Sequence, residues 1–237
     1  MILYIEKKEV KKMTDLYHLH LKGVKEHKWK ENIEIIINND FTNRLGSFVN
    51  NFNDCTNNKK LDNLIIRLKE LLNQSGYKTF DKMPLILLLD YMLEYPNTID
   101  RETKKIILNE TRELVYNTFI IKRELAMESF RKDNNANLPS RLHCLYATNE
   151  KGIDYWAHTL MAGDINDIDV YRIETLEEPF KTNEIFIPND SFNFQEVYKN
   201  SYEYWNPNFK DVNEETSEYL VTGKVKILEK VAEIKKQ

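Results

Sequence analysis

The sequence predicts an α+β fold with strands towards both ends of the chain and a helical block between them. Two observations carry this prediction. Apolar and polar residues alternate near both ends, and apolar residues recur at helical spacing from about residue 60 to 132. The chain has 237 residues, enough to bury a sizeable core. We therefore expect a single domain over residues 1–237, with the helical block as an insertion at about 60–132.

The elements of the first half follow from periodicity and from turn residues. Strands are expected over 15–22 and Ile33–Ile37. Helices are expected over Leu61–Leu72, Pro84–Leu93 and about Asp100–Lys132. Ser75-Gly76 suits the end of the first helix, and a proline suits the first turn of the second. The Asn-rich pieces near 50–58 and 133–137 predict loops.

After Pro139 the pattern changes from mainly helical to mainly extended. Strands are expected over Leu142–Thr148, Val170–Glu174, Glu184–Ile187 and Glu218–Leu228, the last bent at Thr222-Gly223. Two shorter helices are expected over Ile153–Met161, closed by Gly163, and over Phe194–Tyr204.

Composition excludes several functional classes. The formal charge is −4, so no global basic field indicates nucleic-acid or membrane binding. The two cysteines, Cys55 and Cys144, are far apart, which argues against a disulfide framework or a structural zinc site and favours the cytoplasm. The six glycines form neither a dinucleotide-binding fingerprint nor a P-loop. No apolar run is long enough for a signal peptide or a membrane span.

Ser140 and Arg141 open the expected strand after Pro139, where polar groups can face a cleft. An arginine guanidinium grips phosphate or carboxylate with a fork of donors, so the pair indicates an anionic ligand. The alternative is a Pro-Ser turn in which Arg141 pairs with Glu128 or Glu124.

His18 and His20 lie two residues apart on the first expected strand and so share a face. A metal site would need His143 or Cys144 as well, and adjacent residues point to opposite sides of a strand. We therefore expect no metal. One histidine could instead hydrogen-bond a ligand, or one could be buried on a backbone partner while the other is solvated.

Glu218 is the first residue of the last expected strand, which would hold its carboxylate on a rigid element. The alternative is a solvated acidic loop. Nearby aromatic residues could fill a core or stack on a base; these are Tyr202, Tyr204, Trp205 and Tyr219. No second carboxylate pairs with Glu218, and no nucleophile elbow supports a serine triad.

Four short segments together resemble an uncharacterised bacterial family that is similar to divergent ADP-ribosyltransferase-fold proteins. They are Tyr17-His18, Glu124–Arg131, Pro139-Ser-Arg-Leu and Glu218-Tyr-Leu-Val with Gly223. The resemblance implies a split β-sheet with a cleft that binds NAD as substrate and no metal. It implies that Glu218 is catalytic and that four residues contact NAD, namely Tyr17, His18, Ser140 and Arg141.

The resemblance further implies an NAD-consuming mono-ADP-ribosyltransferase, which is a glycosyltransferase. Its acceptor would be an intracellular nucleic acid or protein. The protein would act as a toxin or phage-defence effector and could have an antitoxin or other partner protein. Thr216 stands two residues before Glu218, where transfer to arginine calls for Glu or Gln, so an arginine acceptor is not expected. Two alternatives stay open. The same cleft could bind a nucleotide or nucleic acid without chemistry, or the helical block could dock another protein.

Overall fold

The computed structural model describes residues 15–22, 29–53, 94, 101–162, 167–191 and 193–236. The chain divides into two compact units. One comprises residues 1–47 and 123–237, and the other comprises residues 48–122. The described part of the second unit is helical. Both sheets and every contact discussed below belong to the first unit.

Among the described residues of the first unit, seven strands form two antiparallel sheets. They are β1 (Leu16–Leu21), β2 (Glu34–Ile37), β3 (Leu145–Ala147), β4 (Asp167–Thr175), β5 (Phe180–Asn183), β6 (Ser217–Val221) and β7 (Gly223–Lys235). Sheet A has the order β1-β4-β7-β2, and sheet B has the order β3-β6-β5. The fold is therefore mixed α/β, with helices packed against antiparallel sheets.

The described helices are α1 (Arg44–Asn53), α2 (Arg101–Asn134), α3 (Ile153–Met161) and α4 (Phe194–Trp205). The last three confirm the expected helices to within two residues. The loop expected near 50–58 is wrong in its first part, because α1 continues to Asn53. The helices expected over 61–72 and 84–93, and Gly163, lie outside the described residues.

Three strand predictions needed correction. The strand expected over Leu142–Thr148 is shorter, because β3 covers only Leu145–Ala147 and residues 141–144 form turns and bends. The strand expected over Glu184–Ile187 is wrong, since β5 ends at Asn183 and a 3₁₀ turn occupies Glu184–Phe186. The Asn183 side chain accepts a hydrogen bond from the amide of Ile185, which favours the turn over an extended chain. The strand expected over Glu218–Leu228 is two strands, divided at Gly223, whose φ of 78° suits glycine.

The two sheets meet where β1 and β3 run side by side. The only ladder contact between these strands, among the described residues, is an antiparallel bridge between Tyr17 and Thr148. Each of these residues donates its amide to the other's carbonyl, at 2.8 and 2.9 Å. Beyond the bridge the strands separate, and an apolar core fills the space between the sheets. Its buried members include Leu16, Ile37, Leu145, Tyr171, Tyr219 and Val225.

A second core covers the other face of sheet B. It joins the sheet to α2 and α4 through Met127, Phe130, Cys144, Tyr204, Trp205 and Leu220. Trp205 and Tyr204 are almost fully buried. This core surrounds the charged residues of the candidate site.

Candidate functional site

Arg141 lies at the centre of a buried network that joins α2 to β6. Its Nε donates to Glu124 Oε2 at 2.8 Å, and its Nη1 donates to Glu218 Oε1 at 2.7 Å. The hydroxyl of Tyr204 accepts from Arg141 Nη1 and donates to Glu218 Oε1, the latter at 2.7 Å. The guanidinium carbon also lies 4.7 Å from the Tyr204 ring centroid. All four side chains are buried, and Glu218 is only 4% exposed.

One guanidinium thus faces two carboxylates inside the protein. Burial works against the charge of Arg141, but Glu124 and Glu218 outweigh it and raise the pKa of the guanidinium. Burial raises the pKa of Glu218, although Arg141 and the Tyr204 hydroxyl act in the opposite sense. Arg141 therefore favours the ionised form of Glu218, against the larger effect of burial, which favours the neutral acid.

Ser140 belongs to a neighbouring set of contacts. Its hydroxyl donates to Glu128 Oε2 at 3.0 Å. Arg131 binds the same carboxylate through two nitrogens, at 3.0 and 2.8 Å, and its Nη1 also donates to the carbonyl of Leu138. This fork fixes the end of α2 to the loop that carries Ser140.

Helical spacing explains why one helix supplies both sets of partners. Glu124, Glu128 and Arg131 are separated by four and three residues, so they share a face of α2. That face meets the turn after Pro139. Of the two alternative partners foreseen for Arg141, the structure shows Glu124. Glu128 is instead bound by Ser140 and Arg131.

His18 lies on β1 and contacts the adjoining strand and an indole ring. Its Nδ1 is 2.8 Å from the carbonyl of Tyr146, so the neutral ring donates there. The imidazole stacks on Trp29 with centroids 4.3 Å apart, and His20 lies 5.3 Å from the same indole. Both histidines therefore share a face, as expected.

The bridge between the sheets separates the predicted residues into two groups. Residues paired across antiparallel strands project to the same face, so Tyr17 shares a face with Thr148. Tyr146 of β3 pairs with Leu220 of β6, and Thr148 and Glu218 each lie two residues from that pair. Thr148 and Glu218 therefore project to the same face as Tyr17. His18 projects to the opposite face. The structure thus brings Arg141 and Glu218 into contact, and within the described residues His18 contacts neither.

The first residue of β6 is held from two sides. The Ser217 carbonyl accepts a hydrogen bond from the Thr148 hydroxyl and another from the Trp156 indole, each at 3.0 Å. These contacts connect β3 and α3 to the residue before Glu218. The backbone at Glu218 is therefore positioned by these two elements as well as by its own side chain.

Sequence reasoning left Glu124 and Tyr204 out of the candidate residues. Glu124 had appeared only as an alternative partner for Arg141 and as part of a segment that carries the resemblance. The available signal was helical spacing: Ile121 and Met127 lie three residues before and after Glu124, which places the glutamate on an apolar face of the helix. Cys144 is buried, which raises the pKa of its thiol and makes it a poor nucleophile. No group of three metal-ligating side chains occurs among the described residues.

Comparison with known proteins adds a family. The model of a protein family of unknown function, DUF2441, matches residues 16–233, which is most of the chain. The chain belongs to the DUF2441 family. The matched range includes Tyr17, Ser140, Arg141 and Glu218, so the candidate site lies within the part of the chain that matches the family. No curated protein matches this DUF2441 chain. No described helix has the length and apolar character needed to cross a membrane.

The stability of this DUF2441 protein should depend on pH through His18. Burial lowers the pKa of His18 to about 4, whereas the ordinary value is 6.5. The unfolded chain therefore binds the proton more tightly, and stability is lost as the pH falls from 6.5 towards 4. His18→Phe keeps a ring against Trp29 but does not titrate. We expect urea titrations to show that the unfolding free energy of the wild type falls relative to that of the variant as the pH is lowered from 6.5 towards 4. A difference between the two proteins that does not change with pH would contradict the low pKa of His18.

Proposed function

We propose that this protein is an NAD-consuming mono-ADP-ribosyltransferase that modifies an intracellular nucleic acid or protein, as a toxin or defence effector does. One observation carries the proposal: a single carboxylate, Glu218, is held by Arg141 at the start of a strand, beside the place where two antiparallel sheets part. A split sheet with one fixed glutamate is the arrangement that the family resemblance calls for. The match to a family of unknown function is compatible with it.

The chemistry suits a single carboxylate. When nicotinamide leaves, positive charge develops on the ribose, as it does in glycoside cleavage. A fixed negative charge in a site of low dielectric stabilises such a cation more than it would in water. The two hydrogen bonds to Glu218 both fall on Oε1. In this proposal, Oε2 contacts the ribose hydroxyl and orients the sugar.

The other predicted residues take different parts in the proposal. Arg141 acts as a positioning residue, because both of its carboxylate partners are protein groups. Tyr17 shares the face of Glu218 and is the residue of β1 best placed to contact NAD. The contacts of His18 and Ser140 with NAD stay predictions. Their hydrogen-bond partners in the structure are the Tyr146 carbonyl and Glu128.

The test is release of labelled nicotinamide from NAD by purified protein, with and without a cell lysate as the source of acceptor. We expect turnover by the wild type and a loss of at least about 100-fold in Glu218→Gln, which keeps the volume and one acceptor oxygen. Glu203→Gln, at an exposed position of α4, is the matched control and should retain activity. A folded wild type that releases no nicotinamide in either condition would refute the proposal.

A second candidate is a module that binds a nucleotide or nucleic acid without chemistry. The burial of Glu218 favours it, because a carboxylate 4% exposed and bonded to Arg141 and Tyr204 also serves as a core residue. This candidate predicts heat of NAD binding by calorimetry without turnover. It also predicts that the affinity is the same in Glu218→Gln, whereas a catalytic glutamate that touches ribose would change it.

A further inference from the structure

A second carboxylate, Glu184, lies close to Glu218 at the end of β5. Thr182 pairs with Glu218 across β5 and β6, so their side chains leave the same face of sheet B. Glu184 follows two residues after Thr182, as the first residue of the 3₁₀ turn, and the backbone of Asn183 between them is still extended. Unlike Glu218, its side chain is only partly buried.

Glu184 is held in place by a tyrosine on α3. The Tyr155 hydroxyl donates to Glu184 Oε2. The Tyr155 ring meets the Trp156 ring edge-on, with centroids 5.4 Å apart, and Trp156 in turn binds the Ser217 carbonyl. One helix therefore fixes both the side chain of Glu184 and the backbone next to Glu218.

The two carboxylates also interact electrostatically. Burial is the largest cause of the raised pKa of Glu218, and the charges of Glu124 and Glu184 add to it. Hydrogen bonding to Glu184 is the largest cause of the raised pKa of Tyr155, so the tyrosine remains a donor. The site thus contains two carboxylates in different settings. Glu218 is buried and bound by Arg141, whereas Glu184 is partly exposed and accepts a hydrogen bond from the neutral Tyr155 hydroxyl.

We propose that Glu184, positioned by Tyr155, is the general base of the reaction; this inference rests on the proposed function. The bond between ribose C1′ and the nicotinamide nitrogen breaks, and its electron pair leaves with nicotinamide. An oxygen of water or of the acceptor's hydroxyl forms the new bond to C1′, and its proton passes to Glu184 and then to solvent. A base must exchange its proton with water in every turnover, which suits Glu184 and not the buried Glu218.

Water serves as the acceptor in the test, so no macromolecule has to be known. We would measure kcat and KM for nicotinamide release from NAD over a range of pH for wild type and for Glu184→Gln, Tyr155→Phe and Glu203→Gln. We expect Glu184→Gln to lose about 100-fold in kcat with little change in KM, and to lose the acidic limb of the pH profile. Tyr155→Phe keeps the base and loses the hydrogen bond that positions it, so it should cost less in kcat than Glu184→Gln. Glu203→Gln should match the wild type.

The outcomes separate this inference from the proposed function. An active wild type together with a folded Glu184→Gln variant of unchanged kcat and pH profile would overturn the base assignment alone. A fall in kcat that leaves the acidic limb in place would also overturn it, because it would indicate a purely structural residue. If the wild type releases nicotinamide only with a cell lysate, the same variants are compared in lysate. No release by the wild type with or without lysate would defeat the proposed function, and the base assignment with it.

Discussion

Replacing Arg141 with methionine should cost about 3–5 kcal/mol of unfolding free energy, the range measured when one partner of a buried ion pair is removed. The substitution would leave Glu124 and Glu218 facing each other across a buried gap without a compensating charge. Methionine fills much of the same volume, so the loss reports charge more than packing. Urea denaturation at neutral pH measures it.

Two comparisons isolate the cause of that loss. Arg172 forms a surface pair with Glu229 at 2.7 Å, and Arg172→Met should cost no more than about 1 kcal/mol. Adding Glu124→Gln and Glu218→Gln to Arg141→Met removes the stranded charges and should recover much of the stability. A triple variant no more stable than Arg141→Met would show that packing, and not charge, sets the cost.

Trp205→Ala should be about as damaging, at roughly 3–5 kcal/mol, because it empties a large buried site. Trp205 is 2% exposed, packs on Phe180 at 5.6 Å between ring centroids, and donates its indole N–H to the Met127 carbonyl at 3.0 Å. The loss should appear as a lower midpoint in thermal and urea unfolding.

Two further variants divide the contribution of Trp205. Trp205→Phe keeps most of the apolar volume and loses the hydrogen bond, so it should cost clearly less than alanine. Tyr202→Ala, on the same helix and 59% exposed, is the control and should cost little. Equal losses at positions 202 and 205 would contradict the packing described for α4.

Local patterns were enough to predict most elements of the first unit. The match of α3 to the expected Ile153–Met161 follows from apolar spacing alone, and β1 follows from alternation. The helix α1 was missed because its sequence is rich in asparagine, a residue with weak helix propensity. The 3₁₀ turn after β5 was missed because the apolar pattern of Glu184–Ile187 also fits a strand.

The candidate site was harder to predict because its partners are far apart in the sequence. Arg141 and Glu218 were named as candidates, but their direct contact spans 77 residues and follows from the pairing of β3 with β6. A sequence shows charge at a position and not its burial. Arg141 was expected to bind an anionic ligand in a cleft. In the structure a helix and an aromatic core enclose it, and its guanidinium binds two protein carboxylates.

The bridge between Tyr17 and Thr148 has a consequence for how the chain is made. β1 finds its sheet partner, β4, only after about 150 further residues have been synthesised, and its junction with β3 needs about 130. During translation β1 therefore emerges well before the partners that it has among the described residues. Its apolar residues, such as Leu16 and Leu19, are open to wrong pairings in that interval. Expression at lower temperature or with chaperones should therefore raise the soluble yield, and we expect β1 to dock late in folding.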